Sequence, residues 1–339
     1  VQVREKPYSP HFMKTTLGFS SELAGVTQFS LGVGYRRPWL TESGLEFSLD
    51  ARLGTQSELA ARLYQPLSSR WSLETGVTWD RNHLPLYRTA LDRDDVSAQK
   101  LAYFNQTLQT MDAQLVYDYE RKANIKWGLT SSSIRRSFDT DLEFLGESVQ
   151  RTSLFRYNAM KTQLQIDQLD SLSFPTRGFF VNASFEQGLS GTAYRGGRLS
   201  VKLAHSVGPH IFNAGLNLAR DQVTRQCEKC QSPSQLFLGG FQLMGAYRMG
   251  QLAGSDLAHV QGTYMYRLSD GGVFNQRTYV GSVLEAGDAW NPGDQIRTRY
   301  SGTLFVAVDS KVGDIYLGAA KGSGNAYNLF LQLGRRFSF

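Results

Sequence analysis

The sequence lacks the features that define several large classes of protein. It contains no run of about 18 uncharged apolar residues, so a membrane-spanning helix is excluded. It has two cysteines, Cys227 and Cys230, which are too few for a fold held together by disulfides. The net charge of +6 comes from scattered residues, so no basic block indicates nucleic-acid binding.

Catalytic and metal-binding motifs are also missing. The G-x-S-x-G elbow of serine hydrolases does not occur, because Gly188-Leu189-Ser190-Gly191 has one residue too few after the serine. Of the five histidines, only His205 and His210 are close together, and they flank a turn. There is no phosphate-binding loop. We therefore expect no enzymatic activity in this chain, no metal and no cofactor.

A period-two pattern runs through much of the chain. In the windows 45–53, 71–80, 111–119, 160–167 and 179–186, one face carries no charged residue, whereas the opposite face carries ten charges in total. This alternation predicts β-strands whose two faces meet different surroundings. A membrane barrel requires it, because a charge facing lipid at mid-membrane costs roughly 2–4 kcal/mol, whereas one facing a wet lumen costs little. The mean hydropathy is negative because only every second residue faces lipid.

A soluble β-sandwich is the alternative, since its strands alternate as well. Two features favour the membrane barrel. The strands are about ten residues long, against about 5–6 in soluble sheets. Their apolar faces also end in aromatic residues, such as Trp71, Trp79, Tyr117 and Tyr119, as expected for the aromatic girdles at membrane interfaces.

The pattern predicts one all-β domain over residues 1–339, a 16-stranded antiparallel transmembrane β-barrel. An even strand number is the rule for bacterial single-chain barrels. Long connections are predicted at 82–108, 135–157 and 222–256, between tight turns. The predicted strands lie near 10–21, 26–36, 44–54, 57–65, 71–81, 109–119, 123–134, 158–168, 178–187, 197–206, 210–221, 257–268, 277–286, 300–309, 312–319 and 328–339.

Two short segments have readings that the sequence leaves open. The chain ends on an alternating strand with Phe337 and Phe339, which we interpret as a signal read by barrel-assembly machinery; an ordinary last strand is the alternative. Cys227 and Cys230 lie in the longest late loop. In the oxidising cell envelope a small disulfide is favoured, and free or metal-bound thiols are the alternatives.

One segment of that late loop resembles a known family. The run Leu238-Gly239-Gly240-Phe241-Gln242-Leu243-Met244-Gly245-Ala246-Tyr247 is similar to the sixth-loop motif of the BamA/TamA (bacterial surface antigen) superfamily, where LGGF is followed by three residues and Arg-Gly-Tyr. The segment around Glu285 and Gly287 is similar to a late strand of that family. The resemblance covers the whole chain and implies a sixteen-stranded outer-membrane barrel whose sixth extracellular loop folds inward.

The chain departs from the motif at its arginine. Gly245 occupies that position and Ala246 follows it. In the family the arginine reaches the lumen and pairs with an acidic residue on a late strand, and alternation points Glu285 inward. Our hypothesis is that Arg248 pairs with Glu285 instead and pins the loop. The alternative is that Arg248 is a solvated loop residue and Glu285 pairs elsewhere.

Further fragments resemble the C-terminal barrel of patatin-like type Vd secreted phospholipases. They include the segments 5–7, 44–47, 63–67, 170–178 and 333–337. This resemblance implies an upstream periplasmic POTRA segment and a patatin-like passenger, both absent from the sequence. The chain begins at Val1 without a signal peptide, so we expect it to be a processed or excised piece.

These observations together predict the function and the partners. We expect a translocator barrel that helps to deliver or anchor the passenger at the cell surface. Its expected partners are outer-membrane lipids and lipopolysaccharide, its own passenger and POTRA, and the barrel-assembly machinery. The first and last strands are expected to pair over a short length and to open sideways.

Three alternative functions remain. One is an insertase barrel for outer-membrane protein assembly, and another is a passive diffusion porin. The third is a lipid-facing Ser-His enzyme built around His205 or His259, although His259 falls on the inward face in this register.

Overall fold

The structure is a computed structural model. It describes residues 11–23, 25–90, 98–120, 122–139, 143–144, 147–148, 152–223, 236–269, 276–310 and 313–334.

Sixteen strands form one closed antiparallel barrel, in which each strand pairs with its neighbours in the chain and β16 returns to β1. The predicted fold class is therefore confirmed. The strands are β1 (Phe12–Glu22), β2 (Thr27–Arg37), β3 (Glu46–Gly54), β4 (Gln56–Pro66), β5 (Trp71–Tyr87), β6 (Lys100–Tyr119), β7 (Ala123–Phe138), β8 (Thr152–Asp167), β9 (Gly178–Gly191), β10 (Tyr194–Val207), β11 (His210–Val223), β12 (Asp256–Ser269), β13 (Arg277–Trp290), β14 (Arg299–Ser310), β15 (Gly313–Gly322) and β16 (Tyr327–Leu333).

The smaller elements lie in the connections. Leu236–Leu238 pairs with Leu252–Gly254, and Glu143–Phe144 pairs with Glu147–Ser148. In the described connections, 3₁₀ turns occur at Arg88–Ala90 and Ser323–Asn325. Within the residues described above, no helix has the length and apolar character needed to cross a membrane.

The two ends of the barrel differ in the length of their connections. The three longest, which join β5 to β6, β7 to β8 and β11 to β12, all follow odd-numbered strands and therefore leave from the same end. Long loops outside and short turns at the periplasm are the rule for outer-membrane barrels. We therefore assign the end with the long connections to the cell exterior.

Alternation sorts the side chains between the membrane and the lumen as predicted. The outward residues Leu53 and Met111 are 70% and 65% exposed, whereas the inward residues Ser72 and Gln114 are buried. At the periplasmic end, Trp71 packs outward against two neighbouring aromatic side chains. These neighbours are Tyr117 (ring centroids 4.9 Å apart) and Trp127 (6.3 Å). They form part of an interfacial aromatic girdle.

The strands β5–β8 extend further towards the exterior than the sequence pattern predicted. Strand β5 continues to Tyr87 and β6 begins at Lys100, inside the region predicted as a long connection. The reason is an inversion of polarity. Here apolar residues such as Leu84 and Phe104 point inward and are buried, while polar residues point outward. A search for outward apolar residues therefore ends these strands too early.

Candidate functional site

The sixth loop, residues 236–254, lies inside the barrel. The Leu236–Leu238 and Leu252–Gly254 hairpin forms its neck. Below the neck, Gly239 and Gly240 have positive φ angles of 134° and 90°, which let the chain turn sharply. A Cβ at Gly239 would lie 1.8 Å from the carbonyl oxygen of Arg248, so the returning chain fits only against a glycine.

The loop is packed against the wall formed by β12–β16. Its buried apolar residues make a cluster with inward residues of the strands, and Tyr247 is completely buried. The hydroxyl of Tyr247 donates to the carbonyl oxygen of Ser323 at 3.0 Å, and the N–H of Ala246 donates to Ser301 Oγ at 2.9 Å. The structure thus brings the motif residues together in the lumen. They are Leu238, Gly239, Gly240, Phe241, Met244, Gly245, Ala246, Tyr247 and Arg248.

Glu285 on β13 holds the tip of the loop. Its carboxylate accepts the backbone N–H groups of Met244 (2.8 Å) and Gly245 (2.7 Å), and it lies 3.2 Å from Nε2 of His259 on β12. The side chains of Glu285 and His259 have no solvent exposure. A buried carboxylate needs such partners, and hydrogen bonds to a charged group contribute about 1.5–3 kcal/mol each.

Gly287, on the same strand, allows His259 to approach. A Cβ at Gly287 would lie 2.7 Å from the carbonyl oxygen of Ala258 and 3.4 Å from Cβ of His259. Its absence leaves room for the histidine ring beside the strand. The only sequence signal for this role of His259 was its inward register. The alternative of a lipid-facing Ser-His enzyme built around His259 is wrong, because the ring is buried in the lumen.

The space around Gly245 explains the missing arginine of the motif. A Cβ there would lie 2.5 Å from Thr303 Oγ1, 3.4 Å from Cβ of Ala320 and 3.5 Å from Glu285 Oε2. No arginine side chain fits in this gap. Two backbone N–H groups and His259 supply to Glu285 the donors that a guanidinium would otherwise supply.

The predicted pair between Arg248 and Glu285 does not form among the described residues, so this hypothesis is wrong. Arg248 is buried rather than solvated, and its Nη1 donates to Asn328 Oδ1 on β16 at 2.6 Å. The carboxylate that interacts with its charge is Glu22, at the end of β1. The physical reason is that Glu285 is already saturated by nearer donors, so the guanidinium turns to the opposite side of the loop.

Glu22 and Asn328 join the loop to both closing strands. The N–H of Met249 donates to the two oxygens of Glu22 at 3.1 and 3.2 Å. Asn328 Nδ2 lies 3.2 Å from Glu22 Oε1 and 3.2 Å from the carbonyl oxygen of Gly245. We name Glu22, Asn328 and Arg248 the latch. Glu22 and Asn328 were not predicted, because a single polar residue on an inward face carries no sequence signal that sets it apart.

The latch crosses the shortest strand pairing in the barrel. Strands β1 and β16 are paired over four residues, from Phe19–Leu333 to Glu22–Phe330, whereas β1 and β2 are paired over ten. At the end of the described pairing, Gly334 adopts a φ of 80°. A Cβ at Gly334 would lie 2.1 Å from the carbonyl oxygen of Leu17. The described residues pair over a short length, and the predicted short pairing of the complete strands stays a prediction, because residues 335–339 lie outside the described residues.

An aromatic cluster fills the same half of the lumen below the latch. Phe241 of the loop stacks on Phe330 of β16 (ring centroids 4.4 Å apart) and packs against Tyr316 of β15 (5.0 Å). From the periplasmic side, Phe174 in the β8–β9 connection stacks on Tyr279 of β13, with centroids 4.5 Å apart and planes within 13°. The loop and the periplasmic connection therefore meet in one buried cluster.

The opposite wall of the lumen is polar. Inward ion pairs join strands of β3–β11, and at least one partner of each pair is partly exposed. This half of the lumen is therefore suited to water, whereas the other half is filled. The pairs include Arg52–Glu58, Arg62–Asp50, Lys126–Glu74, Lys161–Glu186 and Arg198–Asp221.

Four of the predicted site residues cannot be placed in the fold. Cys227, Cys230, Phe337 and Phe339 lie outside the described residues, so their predicted roles are not tested. Among the residues that the structure does describe, no group of three or more His, Cys, Asp or Glu side chains is placed to hold a metal ion.

The fold and the lumenal loop together define a class, the outer-membrane β-barrels with sixteen strands and an inward sixth loop. A family model described as the Omp85 superfamily domain matches residues 14–209. The chain belongs to the Omp85 superfamily and is an outer-membrane protein. The predicted kinship with the BamA/TamA group is confirmed at this level.

Three solved structures are similar to this chain. BamA from Haemophilus ducreyi lacking POTRA domains 1–3 matches with a TM-score of 0.74 and 15% identity, over 94% of this chain and 69% of that one. CdiB from Acinetobacter baumannii matches with a TM-score of 0.59 and 10% identity, over 95% of this chain and 59% of that one. CdiB from Escherichia coli matches with a TM-score of 0.61 and 11% identity, over 97% of this chain and 63% of that one. This chain spans less than two thirds of either CdiB structure. At these identities the likeness shows the fold alone, and no curated sequence matches.

Proposed function

We propose that this chain is the translocator barrel of a type Vd secretion protein and helps to deliver an N-terminal patatin-like passenger to the cell surface. The observation that supports a translocating role is the latch. Glu22 and Asn328 lie on the two closing strands, and both contact the loop that fills the lumen. Movement of the loop would therefore act directly on the seam between β1 and β16.

The edge of β1 gives the translocating role a physical basis. Over the residues described, β1 is paired with β16 only from Phe19 onward. No described residue of β16 pairs with the lower part of β1, from Phe12 to Gly18. An extended polypeptide can add to such an edge as a new strand. In this mechanism the passenger segment pairs with β1 while the latch is released.

A reversible lock across the seam tests this role. Ser21 of β1 and Leu331 of β16 are register partners. We expect that Ser21→Cys with Leu331→Cys, in a full-length protein whose Cys227 and Cys230 are replaced by serine, forms a disulfide that stops surface display of the passenger. A reductant should restore display, which is measured by protease accessibility on intact cells.

The matched control is Thr15→Cys with Val33→Cys, a register pair within the long β1–β2 ladder. This disulfide should leave display unchanged. Normal display by the locked seam would show that seam opening is not required. Absence of a G-x-S-x-G segment upstream in the gene would contradict the patatin-like passenger without affecting the seam result.

An insertase is the second candidate function. The short described pairing between β1 and β16 supports it as well, because a nascent barrel strand could pair with the lower part of β1. The two proposals differ in their substrate. A purified insertase in liposomes should accelerate the folding of an unrelated outer-membrane barrel, and the seam lock should abolish that acceleration. A translocator that serves only its own passenger should leave the folding rate of the unrelated barrel unchanged.

A further inference from the structure

Three arginines on the outer wall face away from the lumen near the exterior end. They are Arg81 on β5, Arg135 on β7 and Arg156 on β8, and all are exposed. Arg81 and Arg135 are both register partners of Thr107 on β6, so they stand about 10 Å apart. Arg156 lies opposite Ser133, one diagonal from Arg135, at about 7–8 Å.

Among the described residues, these arginines have no counter-charge. None of the three takes part in an ion pair or a side-chain hydrogen bond with another described residue. The outward face of the described parts of β4–β8 carries no Asp or Glu at all. By contrast, inward charges of the same strands form ion pairs, as in Lys126–Glu74. A cationic patch on a membrane-facing wall, without a counter-charge among the described residues, is therefore suited to bind an anion from outside the protein.

The height of the patch matches the outer edge of the apolar band. Trp71, in the periplasmic girdle, and Arg81 lie ten residues apart on one strand, about 33 Å along it. A strand tilt of about 40° reduces this to about 25 Å along the membrane normal, which is the height of the apolar band. Arg81 therefore lies where the phosphate groups of the outer leaflet begin.

A groove on the same wall continues from the patch towards the membrane core. Its volume is about 650 Å³. Apolar outward side chains line its lower part, including Leu59, Val77 and Met111, and Arg156 lies at its polar edge together with Asn158. The groove thus offers an apolar bed for an alkyl chain directly beneath the cationic patch.

We propose that this wall binds lipopolysaccharide, with the lipid A phosphates on Arg81, Arg135 and Arg156 and one acyl chain in the groove. Arginine suits this ligand because its guanidinium binds phosphate oxygens in a bidentate manner. Lipopolysaccharide is favoured over a glycerophospholipid because the patch is at the exterior end and spans several phosphate-sized contacts. The site lies on the opposite side of the wall from the lumen, so it is independent of the translocation proposal.

Native mass spectrometry of the detergent-purified barrel tests the proposal, with purified bisphosphorylated lipid A as the probe. We expect Arg135→Gln with Arg156→Gln to weaken lipid A binding about tenfold or more, because two charge-assisted contacts are lost. Arg195→Gln is the matched control. Arg195 is also an outward, exposed arginine near the exterior end, but it is bonded to Gln187, and its loss should leave binding unchanged.

A second measurement on the unaltered protein keeps the test independent of folding defects. Enzymatically dephosphorylated lipid A should bind about tenfold more weakly than the phosphorylated form. Equal binding of the two forms, or unchanged binding by the double variant, would overturn the proposal. Equally tight binding of phosphatidylglycerol would overturn the assignment to lipopolysaccharide.

Discussion

At the scale of single residues, Glu285 illustrates how one buried carboxylate fixes a loop. Its three partners lie on the loop and on β12, so its charge ties the tip of the loop to the wall of the barrel. Glu285→Gln keeps the shape but replaces an acceptor with a donor that faces two N–H groups. We expect this substitution to lower the free energy that holds the loop in the lumen by about 2–4 kcal/mol.

Heat-modifiability on gels measures this effect, because a loosened barrel unfolds at a lower temperature in detergent. Glu58→Gln is the control. Glu58 is also an inward carboxylate and is paired with Arg52, but none of its described contacts is with the loop. An unfolding temperature for Glu285→Gln equal to that of the control would refute a special role for Glu285.

The fit at Gly245 gives a second residue-scale prediction. Gly245→Ala forces a Cβ against Thr303 Oγ1, which is buried without a hydrogen-bond partner. We expect overpacking of this kind to cost about 1–3 kcal/mol. Thr303→Ala removes the obstructing hydroxyl, so the double variant should recover most of the loss. Thermal unfolding of the two single variants and the double variant measures the coupling, and simple additivity would contradict the proposed clash.

At the scale of elements, the β8–β9 connection is organised by one acidic side chain. Asp170 accepts hydrogen bonds from the N–H (2.8 Å) and hydroxyl of Thr176 and from the N–H of Arg177 (3.1 Å). Slight burial acts to raise the pKa of Asp170, but these hydrogen bonds outweigh it and hold the pKa below its usual value. The connection carries Phe174 into the lumen, so its order matters beyond the turn itself.

The lowered pKa of Asp170 predicts a pH dependence with a definite sign. The stabilisation is fully present above the usual carboxyl pKa and is lost as the pH falls through the lower folded value. Asp170→Asn should therefore speed amide exchange at Thr176 and Arg177 near neutral pH, with the difference from the unaltered protein shrinking in strong acid. Asp294→Asn, in the β13–β14 connection, serves as the control. An effect of Asp170→Asn that is the same at both pH values would contradict the ionised cap.

Strands and site differ in how well the sequence revealed them. All sixteen strands were predictable because lipid demands an apolar residue at every second position. The outer ends of β5–β8 were not, because their polarity inverts above the membrane. The inward position of Glu285 followed from alternation, but the partners of Arg248 did not. These partners depend on which donors lie within hydrogen-bond distance of Glu285, and packing around Gly245 determines that.

At the scale of the whole molecule, the lumen is divided into a filled half and a wet half. This division predicts a small or flickering conductance in planar bilayers, whereas a porin would give a large and steady one. Phe241→Ala removes the ring that joins the loop to Phe330 and Tyr316. We expect larger and longer openings from this variant.

Leu59→Ala is a suitable control for the conductance measurement, because Leu59 faces outward and does not touch the lumen. A large steady current through the unaltered protein would refute the occluded lumen and would favour a diffusion pore.

The latch has a consequence for the order in which the barrel is assembled. Glu22 and Asn328 are 306 positions apart in the chain, yet both contact a loop that lies between them in sequence. The final closure of the cylinder is thus a contact of very long range, and such contacts form late. A barrel that closes with the loop outside lacks the contacts of Glu22 with the loop and the stacking of Phe241 on Phe330. Closure can therefore act as a checkpoint in assembly, because the contacts that stabilise the closed barrel form only when the loop already lies in the lumen.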